Sequence, residues 1–320
     1  VWVPGHEIVG HVVRAGLNAE FLLDQRVVAL LPYGGGCSRY VCISSKDVIA
    51  LPRDAGSNDV VMLLSTFMAA YQCLESVVGI EAEVSEESPL IANDFGQEGS
   101  CLFGKNVLIV GAGSPVGLAL VDLARNAGAT VYTVSHSKHL SAIRAMGAHY
   151  WYGFSDEGLW EAKWAGEMHL IVDTIGDPDN NPSLYKVMKT RARIVRVNIT
   201  SCEKKYFPLE KSLFGFIFGH SRRAEKDMTY YGRVINDKAI DYDVCHSFNE
   251  DKELFTKDLA SLLDLYKVGK IRPRIVSRVG FDKLEGEWEK VMSRGANGGF
   301  LVCPCPETLA PFHYASYNPG

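Results

Sequence analysis

The first fifty residues alternate short apolar, β-branched runs with turn residues. Glu7 to Val13, Arg26 to Leu31, Tyr40 to Ile43 and Val48 to Leu51 each hold enough apolar residues for one strand, and Gly, Asn and Asp separate them. This pattern predicts an antiparallel, barrel-like β domain. From Leu63 to Val78 apolar residues recur at three- and four-residue spacing, the signature of a buried helix face. Residues 81 to 103 lose that rhythm: Glu81, Glu83, Glu86 and Glu87 stand close together among Gly, Ser and Pro, which predicts an exposed acidic loop.

Beyond Asn106 the period changes. Asn106 to Val110 is a short apolar strand, Val116 to Ala127 a helix, Thr130 to Val134 a second strand and His139 to Met146 a second helix. Leu170 to Asp173 and Arg193 to Val197 are further strand candidates, with a helix over Pro182 to Lys189 between them. Such alternation predicts an α/β fold, a doubly wound parallel sheet wrapped by helices. Residues 201 to 250 carry no clear period. Leu254 to Val268 is helical and amphipathic again, and Ile275 to Val279 and Phe300 to Cys303 read as strands that rejoin the first domain.

The 320 residues, 47% hydrophobic and 22% charged, suffice for two cores. A formal net charge of -5, with mixed signs and no basic block, excludes nucleic acid as a principal partner. The longest apolar stretches, Phe214 to Phe218 and Val107 to Ala112, fall far short of the roughly 20 residues that cross a bilayer. Eight cysteines, none in C-x-x-C spacing, argue against a disulfide scaffold and a structural zinc and favour a reducing compartment. Cys303-Pro304-Cys305 is the one close pair and is given no role. The sequence opens at Val1, nearly in a strand, with no leader to judge.

The most informative segment is Gly111, Ala112, Gly113, Ser114, Pro115, Val116 and Gly117. A buried strand delivers the chain into a glycine-rich turn and a helix follows at once, so free amides and the positive helix end face a pyrophosphate. The strict fingerprint places its last glycine three residues after Gly113, where Val116 stands, and Gly117 comes one position late. Ser114 and Pro115 add bulk where the backbone must approach a ligand, and the expectation is weakened cofactor binding. No acidic residue occurs between Asp122 and Asp156 to hold an adenosine ribose; the second strand instead ends in Ser135, His136, Ser137 and Lys138, donors and a cation suited to a 2′-phosphate. This favours NADPH over NADH.

With these segments in place the chain resembles the medium-chain dehydrogenase/reductase superfamily over nearly its whole length. Pro4 to Gly16 is similar to its Gly-His-Glu opening, Ala70-Tyr71-Gln72 to the helix before the nucleotide domain, Val172 to Gly176 to its fourth-strand motif and Gly269 to Pro273 to its return segment. Within it, the pattern looks most like zinc-independent quinone reductases and the reticulon-interacting mitochondrial oxidoreductases. The resemblance implies a discontinuous GroES-like domain (1–62 and 271–303), a Rossmann domain (63–270) carrying the acidic loop, and a tail (304–320). Strands that the family carries ahead of its Gly-His-Glu motif are not in this sequence. The resemblance also adds Thr174, Ile175 and Asn198 to the cofactor contacts and makes Tyr71 the candidate proton donor.

In the zinc alcohol dehydrogenases the histidine of Gly-His-Glu is a ligand, which directs attention to His6. Counting from Tyr71, the position of their ligand cysteine falls on Ser65, so His6 reads as structural and no metal is expected, since a catalytic zinc needs about three protein ligands. The implied activity is NADPH-dependent reduction of quinones or activated double bonds. Two other readings stay open on the sequence: an inactive dehydrogenase-like subunit of a larger, mitochondrial assembly, docked through the aromatic tail, and a zinc alcohol dehydrogenase. A homodimer is the remaining partner expectation.

Overall fold

Hydrogen-bond pairing sorts the strand-like runs into two sets, which belong to separate units of the chain. The computed structural model describes residues 3–75, 100–175, 182–197, 228–229, 232–236, 239–287 and 298–304. One unit comprises residues 1–67 and 256–320, and the other residues 68–255.

In the first unit β1 (Glu7–His11), β2 (Arg26–Leu30) and β3 (Val48–Ala50) form an antiparallel sheet with β2 in the middle. The central place explains why Val27 to Leu30 are all buried, whereas β1 is half-buried. The expected strand at Tyr40 to Ile43 does not form. Its side chains alternate as a strand's would, Val41 and Ile43 half-buried and Tyr40 and Cys42 exposed, but its backbone joins no ladder. Just before it, Gly35, Gly36 and Cys37 donate backbone hydrogen bonds to Val3, Gly5 and Pro4 at 2.8, 2.9 and 2.8 Å. The helix expected from Leu63 begins as a π-helical turn, Leu63–Phe67, and continues as α1 (Met68–Glu75) in the second unit.

In the second unit the strands are β4 (Asn106–Val110), β5 (Thr130–Ser135), β6 (Tyr150–Gly153), β7 (Met168–Asp173), β8 (Met188–Val197), β9 (Met228–Thr229), β10 (Gly232–Asn236) and β11 (Ala239–Tyr242). Among the described residues they form one sheet in the order β6-β5-β4-β7-β8-β11-β10-β9. The first six are parallel, and β10 and β9 run antiparallel beyond them. Numbered within the parallel part, that order is 3-2-1-4-5-6, the doubly wound arrangement whose switch point lies between its first and fourth strands. Here those strands are β4 and β7.

The central strands β4 and β7 are covered on both faces, hence the apolar runs Val107 to Val110 and Leu170 to Val172. The helices are α2 (Pro115–Asn126), α3 (Leu140–Ala145), α4 (Glu157–Trp164), α5 (Ser183–Lys186) and α6 (Val244–Glu250). Trp160 and Trp164 of α4 pack with Leu108, Val110, Ile171, Leu184 and Ile194 on one face. α5 is shorter than the helix expected over Pro182 to Lys189 because β8 already starts at Met188, five residues ahead of the expected strand. Helix α7 (Lys252–Lys267) returns the chain to the first unit, which β12 (Ile275–Val279) and β13 (Gly299–Val302) complete as a parallel pair. Tyr266 and Ser57 hydroxyls meet at 3.0 Å, and Lys267 pairs with Asp54 at 3.0 Å, joining the returning segment to the opening one.

Residues 81–99 of the acidic stretch and the tail beyond Pro304 lie outside the described residues. Cys37, Cys42, Cys73, Cys101 and Cys303 are free thiols, whereas Cys245 is disulfide-bonded. Among the described residues no helix is long and apolar enough to cross a membrane.

Candidate functional site

At the switch point, β4 ends and the chain turns at Gly111, whose φ of +77° is the left-handed conformation that glycine adopts without strain. A Cβ there would stand 2.4 Å from Thr174 Oγ1 and 3.0 Å from Ile175 Cγ1, so the end of β7 lies directly against the turn. Ser114 is the N-cap of α2: its Oγ accepts from the Gly117 amide at 2.9 Å. Pro115 follows as the first helical residue, where no N–H is required and its fixed φ suits a helix start. The two residues read as obstructive bulk therefore build the helix terminus itself.

The glycine that comes one position late has a defined task. A Cβ on Gly117 would meet Gly111 O at 2.6 Å, Ala112 Cα at 2.7 Å and Ala112 C at 2.8 Å. All are backbone atoms, so Gly117 is what lets α2 pack onto the turn that precedes it. The Ser114 amide bonds Gly111 O and the Leu118 amide bonds Ser114 O. These bonds leave the Ala112, Gly113 and Val116 amides outside the network, at the end of a helix whose dipole favours an anion. A pyrophosphate fits that donor set.

Thr174 fastens the two strand ends. Its amide donates to Val110 O at 3.0 Å, and its hydroxyl lies 3.0 Å from Val110 O, 3.1 Å from Gly111 O and 3.2 Å from Ser114 Oγ. Buried Asp173 accepts from the Ile175 amide at 2.9 Å and so sets the bend after β7, leaving Ile175 exposed. The structure thus brings together Gly111 to Gly117, Thr174 and Ile175; Asn198 lies outside the described residues.

Beside them, β5 ends at Ser135, whose neighbour Val134 accepts from the Gly111 amide at 2.9 Å. Ser135 is buried, while His136, Ser137 and Lys138 are exposed. Sequence reasoning missed two neighbours. Phe154, just after β6, meets His136 edge-on with ring centroids 5.1 Å apart, and the His139 imidazole lies on Gly113. The first could have been found from the Tyr-Trp-Tyr run of β6, read as a strand; the second has no signature in sequence spacing. Asp156 caps the Gly153 amide at 2.9 Å, which fastens this carboxylate to its own turn.

Tyr71 is buried on α1, which packs against α2; the adjacent Gln72 accepts from the Tyr242 hydroxyl at 2.8 Å and ties α1 to β11. In the first unit, the Ser65 hydroxyl donates to Glu7. The carboxyl oxygens of Glu7 are enclosed although the residue is half-buried, and its Oε2 has no hydrogen-bond partner. Desolvation pushes the Glu7 carboxyl up from 4.5 to about 7, against the opposing side-chain and backbone hydrogen bonds from Ser65. Ser65 sits inside the π-helical turn, a distortion that often marks functional positions. Among the described residues no three His, Cys, Asp or Glu side chains gather at one point.

Glu7 predicts a pH dependence. Because the folded state holds its proton to higher pH than the unfolded chain, this contribution to stability is complete below pH 4.5 and is lost as pH rises towards 7. A shift of that size corresponds to about 3 kcal/mol at most. Glu7→Gln keeps an acceptor for Ser65 and removes the titration. Relative to the wild type, its thermal stability should therefore rise between pH 4.5 and 8; parallel melting curves for the two proteins would contradict the assignment.

The sheet order and the glycine turn at its switch point, with the separate β unit, define an α/β fold of Rossmann and GroES-like parts. A family model described as zinc-binding dehydrogenase matches residues 115–230. Over 94% of its length the chain is 25% identical to acryloyl-coenzyme A reductase of Sulfurisphaera tokodaii, covering 83% of that protein. It is 22% identical, again over 94% of its length, to quinone oxidoreductase-like protein 2 homolog of Nematostella vectensis, covering 73% of it. The quinone oxidoreductase of Thermus thermophilus, whose structures include a complex with NADPH, is similar in fold with a TM-score of 0.61 at 19% identity, over 94% of this chain and 80% of that one. The chain is thus similar to the medium-chain dehydrogenase/reductase superfamily, and within it to quinone oxidoreductase-like and acryloyl-coenzyme A reductase members.

Proposed function

We propose that the chain is an NADPH-dependent reductase of quinones or activated carbon–carbon double bonds that works without zinc. The observation that carries this reading is the turn at Gly111 to Gly117, glycine-packed against backbone and placed at the switch point of the sheet. The Gly113 and Val116 amides would hold the pyrophosphate. Ser137 and Lys138 would hold the 2′-phosphate, and Thr174, Ile175 and Asn198 would line the nicotinamide half. When bound, NADPH supplies a hydride. Tyr71 would donate the proton that balances it, its phenolic O–H going to the developing enolate or quinol oxygen.

Zinc independence rests on the donor set. Ser65 presents a neutral hydroxyl where the zinc enzymes of the family have a cysteine, and that hydroxyl is committed to Glu7. The family model covers residues 115–230 and so contains neither His6 nor Ser65. Without a Lewis acid, substrates that delocalise the arriving charge themselves are favoured, as a quinone or a conjugated thioester does. Acryloyl-coenzyme A, the substrate named for one relative, belongs to that class.

The test is NADPH oxidation with a panel of quinones and α,β-unsaturated thioesters, alongside titration of the protein with NADPH and NADH. Turnover with NADPH and tighter NADPH binding are expected. Lys138→Ala should weaken NADPH by about tenfold, equivalent to about 1.4 kcal/mol, and leave NADH unchanged. Equal affinity for the two cofactors removes the 2′-phosphate assignment, and absence of turnover across the panel removes the reductase assignment.

A further inference from the structure

The space that Gly113 leaves open is already filled by another residue. A Cβ on Gly113 would stand 2.3 Å from Cδ2, 2.4 Å from Cγ and 2.7 Å from Cβ of His139, so the imidazole rests on this glycine's α-carbon. Gly113 has no positive φ, and its lack of a side chain is therefore a matter of space rather than of backbone conformation. The ring reaches it through a tight turn after β5: the His139 amide bonds His136 O at 3.0 Å, and α3 starts at the next residue. His139 is the N-cap of α3 and makes no side-chain cap bond.

In a glycine-rich dinucleotide turn the second glycine exists so that pyrophosphate can approach the backbone. Here that face carries a ring, and an aromatic ring and a phosphate cannot share it. We propose that His139 sets the affinity of the cofactor site as a displaceable stopper, its ring turning off Gly113 before a dinucleotide phosphate can seat there. The inference rests on the nucleotide reading of the loop. Turning about χ1 moves the ring without disturbing Ser114, Gly117 or Thr174, whose bonds are independent of it. The apparent dissociation constant is then the intrinsic one divided by the fraction of molecules with the ring turned away.

The experiment titrates the full chain with NADPH, followed by fluorescence, for the wild type, His139→Ala and His139→Phe, and records cofactor-free melting to show that each is folded. If about a tenth of wild-type molecules are open, His139→Ala binds about tenfold tighter and His139→Phe no tighter than wild type. In stopped flow the wild-type binding rate should level off with rising NADPH, because ring displacement limits it, while His139→Ala stays linear. A purely structural role would leave that curvature unchanged. Binding by His139→Ala that equals or falls below the wild type overturns the stopper and leaves the cofactor reading intact. Failure of all three folded proteins to bind overturns the cofactor reading itself, and the stopper with it.

Discussion

A Gly117→Val variant is expected to melt well below the wild type and to lose NADPH binding. The cause is geometric: even a single Cβ at this position meets Gly111 O at 2.6 Å and Ala112 Cα at 2.7 Å, and backbone at a strand end cannot step aside as a flexible side chain can. Overpacking of this kind costs about 3 kcal/mol. For a unit of this size that lowers the melting temperature by about 6–12 °C. The helix start then lifts away from the Gly111 turn, taking with it the Gly113 and Val116 amides that would face the phosphates. Gly158 of α4 makes the control, since nothing lies within 4 Å of a Cβ placed there. Gly158→Ala should stabilise by about 0.5–1 kcal/mol, the ordinary gain of replacing glycine within a helix. Wild-type melting and binding by Gly117→Val would show that α2 does not depend on this contact.

How much of this was legible depended on whether chemistry followed chain order. The strands β4, β5, β7 and the second half of β8 were readable because each is largely buried and built around a run of β-branched or other apolar residues. β6 escaped because it is the edge strand of the sheet: Tyr150 is 47% exposed, and aromatic residues beside a polar turn do not resemble a core strand. At Tyr40 to Ile43 the error ran the other way, with alternation but no ladder.

The site divides along the same line. The turn at Gly111 to Gly117 lies in one run of sequence, and its position after a strand and before a helix identified it. Counting glycines did not reveal that Gly117 packs on Gly111 or that Ser114 caps the helix. Thr174, sixty residues further on, was recognised through the family resemblance; its hydroxyl bonds appear only once β7 is laid beside β4. The pairing of Glu7 with Ser65 across 58 residues, and the seating of His139 on Gly113, depend on the three-dimensional turn and left no trace in local pattern.

Thr174→Val should separate the ordering of the site from its stability. The bonds form a directed chain. The Gly117 amide donates to Ser114 Oγ; because the Thr174 hydroxyl gives its proton to the Val110 or Gly111 carbonyl, the Ser114 proton goes to Thr174 Oγ1. Each link polarises the next, and the chain fixes the Ser114 cap relative to the end of β7. Valine has the same shape but neither donates nor accepts, so it leaves Ser114 and a strand-end carbonyl unserved at a cost of about 2 kcal/mol, which lowers the melting temperature by about 4–8 °C. With the cap loosened, the helix start is no longer held ready for a pyrophosphate, and NADPH affinity should fall by about tenfold. Thr174→Ser retains the hydroxyl and should bind NADPH within about twofold of the wild type, a difference of about 0.4 kcal/mol. Equal impairment of the serine and valine variants would show that the hydroxyl bonds do not carry the effect, whereas a valine variant with lowered melting but unchanged NADPH affinity would make Thr174 a fastening of the fold alone.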